Sequence, residues 1–177
     1  MNEADAASSS PQGAGGISES ADANPEGAVC WRGLGFGIDE LRLATTFDDV
    51  SDVVACGAVT PVPRTRQWLR GIANVRGTIC SVVDLSLYFG RALIATEAKP
   101  KLLVTSDPGL QVALLVPRVL GLKQFRENEE SSDLSKVDIE VRPYVARLFS
   151  HKGEDWAVLD MPMLIRDRAF RNVAMDA

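Results

Sequence analysis

The chain has 177 residues, 46% of them hydrophobic, which is enough for one domain or for two small lobes that share a core. The formal net charge of -5 belongs to the first 30 residues, which carry five acidic side chains and no Lys or Arg, so the remainder is neutral overall. A neutral body has no overall field to attract nucleic acid or an anionic membrane, and no apolar run approaches the roughly 20 residues that cross a bilayer.

The start of the chain differs in composition from the rest. Residues 1–27 are mostly Ala, Ser, Gly, Asp and Glu, with Ile17 as the one large aliphatic residue after Met1. Such a segment buries too little apolar surface to offset the entropy of ordering it. We therefore predict a disordered acidic tail over 1–27, serving as a solubilising leader rather than a binding arm, and a folded domain over 28–177.

Turn signals separate short apolar runs in the first half of the chain. Gly37–Glu40 predicts a hairpin, and Asn74–Gly77 predicts a second turn because Asn and Gly tolerate positive φ. Pro61 and Pro63 indicate an extended connection, since proline fixes φ and donates no hydrogen bond. Also expected are a strand resuming at 51–54, a short helix at 66–71 with Trp68 and Leu69 inward, and a helical turn at 85–89.

A linker at 91–100 precedes a second β-rich stretch. Its expected elements are strands at 101–105, 110–116 and 119–125, a polar loop or weak helix at 126–141, a hairpin from 145–149 and 156–159, and a helix at 161–170 with Met163, Leu164 and Phe170 inward. Short strands with turns about every ten residues predict a mainly β protein built of small barrels, rather than a doubly wound sheet.

Residues for catalysis or metal binding are not evident. His151 stands in a polar turn without a visible carboxylate or nucleophile, so we interpret it as a lone surface histidine. Cys30, Cys56 and Cys80 are widely separated, which indicates reduced thiols in a cytoplasmic protein. Asp48, Asp49 and Asp52 lack the spacing of a cation loop. We predict no enzyme activity, no cofactor and no metal.

The charges between Asp52 and Asp84 are all positive: Arg64, Arg66, Arg70 and Arg76. Arginine favours bidentate recognition of carboxylate or phosphate. The residues leave three interpretations open: an acidic protein partner, a single-stranded nucleic acid, or a solvated arginine face. A nucleic-acid site needs aromatic stacking platforms, and Trp68 is the one aromatic side chain placed for it.

The segment Gly71-Ile-Ala-Asn-Val-Arg-Gly-Thr-Ile-Cys-Ser-Val-Val-Asp-Leu85 resembles the signature of CheW-like domains, and the resemblance extends over about residues 29–170. Val50–Val53 is similar to the family's Val-x-Glu-Ile, and Val116–Gly121 to its Val-Asp-x-Val-Leu-Gly. In this chain Asp52 replaces the usual Glu, Ser81 a common Pro, and Pro117 an Asp.

The resemblance implies two intertwined five-stranded SH3-like β-barrels with short helices and a C-terminal helix. The first barrel is expected at about 28–90 and the second at about 100–160, with a chain crossover between them. It also implies a non-catalytic cytoplasmic adaptor, associated with the membrane through receptor arrays. Such an adaptor couples a methyl-accepting chemoreceptor tip to the regulatory domain of a CheA-type histidine kinase.

The opening Trp31–Phe36 and the arginine-rich segment favour the branch that controls type IV pilus twitching motility. Flagellar chemotaxis and single-stranded nucleic-acid binding by a small barrel are the alternatives. The adaptor interpretation involves neither nucleic acid nor direct insertion into a membrane.

The resemblance also suggests partner-binding residues. Arg76, at a turn, and Asp52 are expected to form a polar feature at the edge of the receptor groove, with Asn74 of the same motif beside them. Val50, Val116 and Val119 are expected to line the apolar part of that groove.

Overall fold

The computed structural model describes residues 27–92 and 99–174, so the predicted acidic tail lies outside the described residues except for Gly27. In the described part the strands are β1 Val29–Ile38, β2 Leu41–Thr45, β3 Val50–Ala55, β4 Leu69–Val75, β5 Thr78–Asp84, β6 Lys101–Thr105, β7 Val112–Val116, β8 Arg118–Arg126, β9 Glu130–Ser131, β10 Val145–His151 and β11 Glu154–Leu159. The α-helices are α1 Leu85–Tyr88, α2 Met161–Arg166 and α3 Arg168–Arg171. In residues 27–92 and 99–174, no helix has the length and hydrophobicity to cross a bilayer.

The strands form a six-stranded sheet in the order β8-β1-β2-β11-β10-β9 and a five-stranded sheet in the order β3-β6-β7-β5-β4. The prediction of a mainly β protein with two sheets is confirmed, although the very short β9 gives one sheet a sixth strand. The sheets do not follow the expected division at 28–90 and 100–160. The chain begins the six-stranded sheet with β1 and β2, builds the whole five-stranded sheet, and then returns at β8.

Pairings between strands distant in sequence produce this interlacing: β8 pairs with β1 in antiparallel orientation, and β11 pairs with β2 and β5 with β7 in parallel orientation. Apolar alternation in the sequence identifies a strand but carries no information about its distant partner. The barrels expected at 28–90 and 100–160 divide the chain into consecutive halves, whereas the six-stranded sheet combines strands from both ends of the chain.

Buried side chains form three clusters, one large cluster that draws on both sheets and a smaller one associated with each sheet. Strand β7 shows how they are related: Val112, Leu114 and Val116 belong to the large central cluster, while Ala113 and Leu115 belong to the cluster of the five-stranded sheet. Both faces of β7 are covered, which is why its sequence is a continuous apolar run rather than an alternating one.

The C-terminal helix is divided in two. Asp160 caps α2 by accepting a hydrogen bond from the Met163 N–H, and Asp167 caps α3 by accepting from Ala169 and Phe170. Asp167 has extended ψ, so the helical path is interrupted there. Leu164 and Phe170 are buried as predicted, but Met163 is 53% exposed, which contradicts the inward placement.

The predicted helix at 66–71 is wrong. A turn leads directly into β4 at Leu69, and Gly71 has a φ of +136° that favours glycine. Thr60 and Ile72 pair through two backbone hydrogen bonds of 2.8 and 2.9 Å. This pairing brings the Thr60 carbonyl so close that a Cβ on Gly71 would lie 2.0 Å from its oxygen.

Candidate functional site

The turn between β4 and β5 presents an arginine in an unusual backbone conformation. Val75 pairs with Thr78, so Arg76 and Gly77 are the two loop residues, with φ of +49° and +92°. Positive φ at both positions is what a type I′ turn requires, and Asn or Gly usually provides it. The Asn74 side chain contributes differently from the prediction: its Oδ1 accepts a hydrogen bond of 2.8 Å from the Gly77 N–H.

Arg76 therefore occupies a left-handed position for which its backbone has no advantage. A non-glycine residue there costs on the order of 1 kcal/mol, and Asp39, Arg64, Lys99 and Lys152 share this conformation, so the strain by itself does not mark a functional residue. The Arg76 side chain is 75% exposed, so it contributes little to packing. What Arg76 presents at the surface is therefore its guanidinium group.

Asp52 holds that guanidinium. The Arg76 Nη1 lies 2.9 Å from Asp52 Oδ2, and the Asp52 side chain is 23% exposed. Asp52 belongs to β3 and Arg76 follows β4, which are the two outer strands of the five-stranded sheet. The ion pair thus shows that this sheet curls until its opposite edges meet. The predicted proximity of Asp52 and Arg76 is present in the structure.

The three valines are not brought together in an open groove. Val116 is fully buried and offers no surface to a partner, because β7 is covered on both faces. Val50 pairs with Thr105 and Val116 with Lys101, four residues apart on β6, or about 13 Å along the strand. Val50 and Val119 are half-buried and pack against the central cluster.

An exposed apolar face beside Arg76 was missed by the sequence reasoning. Ile79 is 57% exposed and pairs with Asn74, and Ile72 on the adjoining strand is 40% exposed. Their neighbours Ala73 and Cys80 point to the opposite, buried side. The sequence does contain a signal for this face: apolar residues occupy both odd and even positions of β4 and β5, which indicates that both faces of these strands meet nonpolar surface.

The four arginines of the central stretch do not form one patch. Arg70 lies six residues before Arg76 in the same hairpin arm, about 20 Å away along the chain direction. The aromatic ring needed for a nucleic-acid site is also engaged: Trp68 makes an edge contact with Tyr88 at 5.4 Å and stacks on Phe170 at 5.8 Å. Trp68 is therefore a packing residue between β4, α1 and α3.

His151 has the carboxylate partner that the sequence did not reveal. Its Nδ1 lies 2.6 Å from Glu129 Oε1, in the loop that follows β8. Burial opposes ionisation of Glu129, but the Arg126 N–H and the His151 ring outweigh it and lower the pKa of this carboxyl. The pair joins the end of β10 to the turn after β8, and no nucleophile is placed beside it among the contacts of the described residues.

Beside Arg76 the curled sheet opens in a small cavity of about 190 Å³, lined by Val54, Ala73, Asn74 and Leu102 among others. Ligand pockets usually exceed roughly 300 Å³, so this opening is small for an organic substrate. Residues 27–92 and 99–174 contain no group of three or more His, Cys, Asp or Glu side chains able to hold a metal ion. The geometry is that of a contact surface: an exposed arginine, its carboxylate, and adjoining exposed isoleucines.

Comparison with known proteins assigns the chain to a family. The family model described as the CheW-like domain matches residues 32–169, so the chain belongs to the CheW-like domain family. This is a family of non-catalytic scaffolding adaptors in chemosensory signalling, which confirms the class predicted from the sequence.

Two curated relatives align over most of their length. The protein PilI of Pseudomonas aeruginosa is 26% identical over 153 residues, covering 86% of this chain and 85% of PilI. The chemotaxis protein CheW of Thermotoga maritima is 31% identical over 134 residues, covering 76% of this chain and 87% of that protein. Protein FrzA of Myxococcus xanthus is 27% identical over 90 residues, covering 51% of this chain and 56% of FrzA.

The fold agrees with a solved structure. The crystal structure of the scaffolding protein TtCheW from Thermoanaerobacter tengcongensis superposes with a TM-score of 0.66 at 20% identity. The match covers 82% of this chain and 98% of TtCheW. The expectation of a CheW-like fold is thereby confirmed.

Proposed function

We propose that this chain is the adaptor that couples a methyl-accepting chemoreceptor to a CheA-type histidine kinase in the cytoplasm. The observation that best supports this proposal is the position of Arg76 in the family's signature segment. Arg76 is exposed in a strained turn, and its guanidinium group pairs with Asp52 of β3. A rigid body suits the role, because an adaptor transmits a receptor's conformational preference only if it binds both partners in a defined geometry.

The contact surface proposed for the receptor comprises Asp52, Asn74 and Arg76, with Ile72 and Ile79 as apolar neighbours. Interfaces combine a few apolar anchors with an arginine, and Arg76 engages Asp52 through one nitrogen while keeping other N–H donors for a partner. Val50 and Val119 remain candidates for the periphery of this surface, since both are partly accessible. Val116 contributes by supporting the core beneath them.

Within the family, we propose that the chain serves type IV pilus twitching motility. The alignment with PilI extends over more of this chain than the alignment with the Thermotoga CheW. The higher identity to that CheW favours flagellar chemotaxis as the second candidate. Deleting the gene in its source organism separates the two: we expect twitching to be lost and swimming chemotaxis to persist, and the reverse result would assign the chain to chemotaxis.

Calorimetry with the regulatory domain of the same organism's CheA-type kinase tests the adaptor function. We expect saturable binding near micromolar affinity, retained when residues 1–27 are removed. Retention of kinase binding by Arg76→Ala would assign this arginine to the receptor side. Absence of binding to every such kinase domain of the organism would refute the adaptor proposal and leave only the fold.

Lys152→Ala is a matched control for Arg76→Ala. Lys152 and Gly153 form the turn between β10 and β11 with φ of +53° and +79°, the same combination as Arg76 and Gly77. Both substitutions therefore place alanine at an exposed left-handed position. We expect only Arg76→Ala to abolish coupling of receptor to kinase.

A further inference from the structure

The residues before β4 contact the C-terminal segment, and this contact brings together positive charges that are distant in the sequence. Thr65 forms an antiparallel bridge with Ala174, and the Arg66 N–H donates a hydrogen bond of 2.9 Å to the Val173 carbonyl. The Arg66 Nε also donates to the Asn172 carbonyl, at 3.1 Å. The segment 64–70 thus lies beside α3.

This contact creates a concentration of positive charge. We call it the arginine cluster, and its members are Arg64 and Arg66 on the segment before β4 and Arg168 and Arg171 on α3. All except Arg66 are exposed, and those three have no ion pair within the described residues. The acidic residues nearby are Asp167, whose carboxylate caps α3, and Glu140, which shares a cavity with Arg66. The cluster therefore carries a local excess of positive charge on a body that is neutral overall.

An arginine cluster of this kind attracts an anionic partner, and the surrounding chemistry narrows the choice. A single-stranded nucleic acid binds through stacked bases as well as phosphates. Here Trp68 is packed against Tyr88 and Phe170. The cluster is thus suited to carboxylates, which arginine binds through bidentate hydrogen bonds.

The chain itself supplies such carboxylates. The acidic tail contains Glu3, Asp5, Glu19, Asp22 and Glu26 and no basic side chain. We propose that the acidic tail associates electrostatically with the arginine cluster of the same chain and shields it from acidic surfaces of other proteins. This inference is independent of the adaptor function and modifies the expectation that the tail is only a solubilising leader.

Reach and concentration favour this occupant over a separate acidic protein. Fully extended, 26 residues span about 85 Å, whereas a folded domain of 150 residues is about 40 Å across. Every part of the surface is accessible to a segment attached at Gly27. A tethered segment also acts at an effective concentration in the millimolar range, so weak charge attraction suffices to keep it bound.

Amide and arginine Nε–Hε chemical shifts of the full-length ¹⁵N-labelled protein test the proposal without kinase or receptor. The comparison is between the wild type and a tail-neutral variant, E3Q, D5N, E19Q, D22N and E26Q. We expect shift differences at 64–70 and 168–172. They should vanish at 1 M salt, where the Debye length falls to about 3 Å.

The matched comparison distinguishes the cluster from positive charge in general. Combining Arg168→Gln with Arg171→Gln should remove the salt-dependent shifts of the tail amides, whereas combining Arg32→Gln with Lys152→Gln, two exposed cations elsewhere, should preserve them. Shift differences confined to the neighbourhood of Gly27, or equal effects of both double variants, would overturn the proposal. The proposal would also be overturned if a single-stranded oligonucleotide shifted the signals of the arginine cluster but neutralising the tail left those signals unchanged.

Discussion

Replacing Arg76 separates its function from its contribution to stability. Arg76→Ala removes the ion pair with Asp52 but keeps a side chain at φ of +49°, so the backbone cost is unchanged. Because the Arg76 side chain is 75% exposed, water and salt screen the pair, and its loss costs about 0–1 kcal/mol. We therefore expect the free energy of unfolding to fall by less than about 1 kcal/mol while coupling is abolished.

Arg76→Gly tests the backbone part of the same reasoning. Glycine loses the ion pair as alanine does, but it relieves the left-handed strain, worth about 1 kcal/mol. The glycine variant should therefore be more stable than the alanine variant by about that amount, and close to the wild type. Both variants should be equally deficient in coupling, because both lack the guanidinium.

Urea denaturation gives the stabilities, and phosphorylation by a reconstituted receptor, kinase and adaptor complex gives the coupling. A loss above about 2 kcal/mol in Arg76→Ala would show that this arginine is structural. Unchanged receptor control of the kinase in the same variant would refute its assignment to the contact surface.

Three further predictions concern the fold that carries this surface. Gly71→Ala should strongly destabilise the protein in urea denaturation, because the alanine Cβ would lie 2.0 Å from the Thr60 carbonyl oxygen. Gly57→Ala is the control: a Cβ there has no atom within 4 Å, so the free energy of unfolding should change by less than about 0.5 kcal/mol. Equal effects of the two substitutions would contradict the close approach at Gly71. Leu114→Ala should lower the free energy of unfolding by about 2–5 kcal/mol, since Leu114 is fully buried in the central cluster, and a loss below 1 kcal/mol would show that the cluster repacks. The free energy of unfolding should decrease on acidification below about pH 4.5, because Arg147 lowers the pKa of Glu130 and Arg42 lowers the pKa of Glu154 in the folded protein. Protonation of these carboxylates therefore favours the unfolded state. Arg147→Gln should make stability less dependent on pH, and an unaltered pH profile would exclude the contribution of Glu130.

The sequence determined the local elements because their signals are local. Alternating apolar residues placed most strands within a few positions, and the loop residues of the β1–β2, β4–β5 and β10–β11 hairpins were marked by Gly, Asn or Asp. The residue types of the signature segment also led to the family, since Arg76 and Gly77 occupy adjacent turn positions within one hairpin.

The tertiary structure decided which elements meet. The parallel pairs β2·β11 and β5·β7 join strands from different parts of the chain, and hydrophobic periodicity is the same for either choice of partner. The family resemblance assigned Val116 to a groove, whereas the second covered face of β7 buries it completely. The same limit concealed the arginine cluster: Arg64 and Arg171 are separated by more than half the chain, and tertiary contacts such as the backbone bridge between Thr65 and Ala174 bring their segments together.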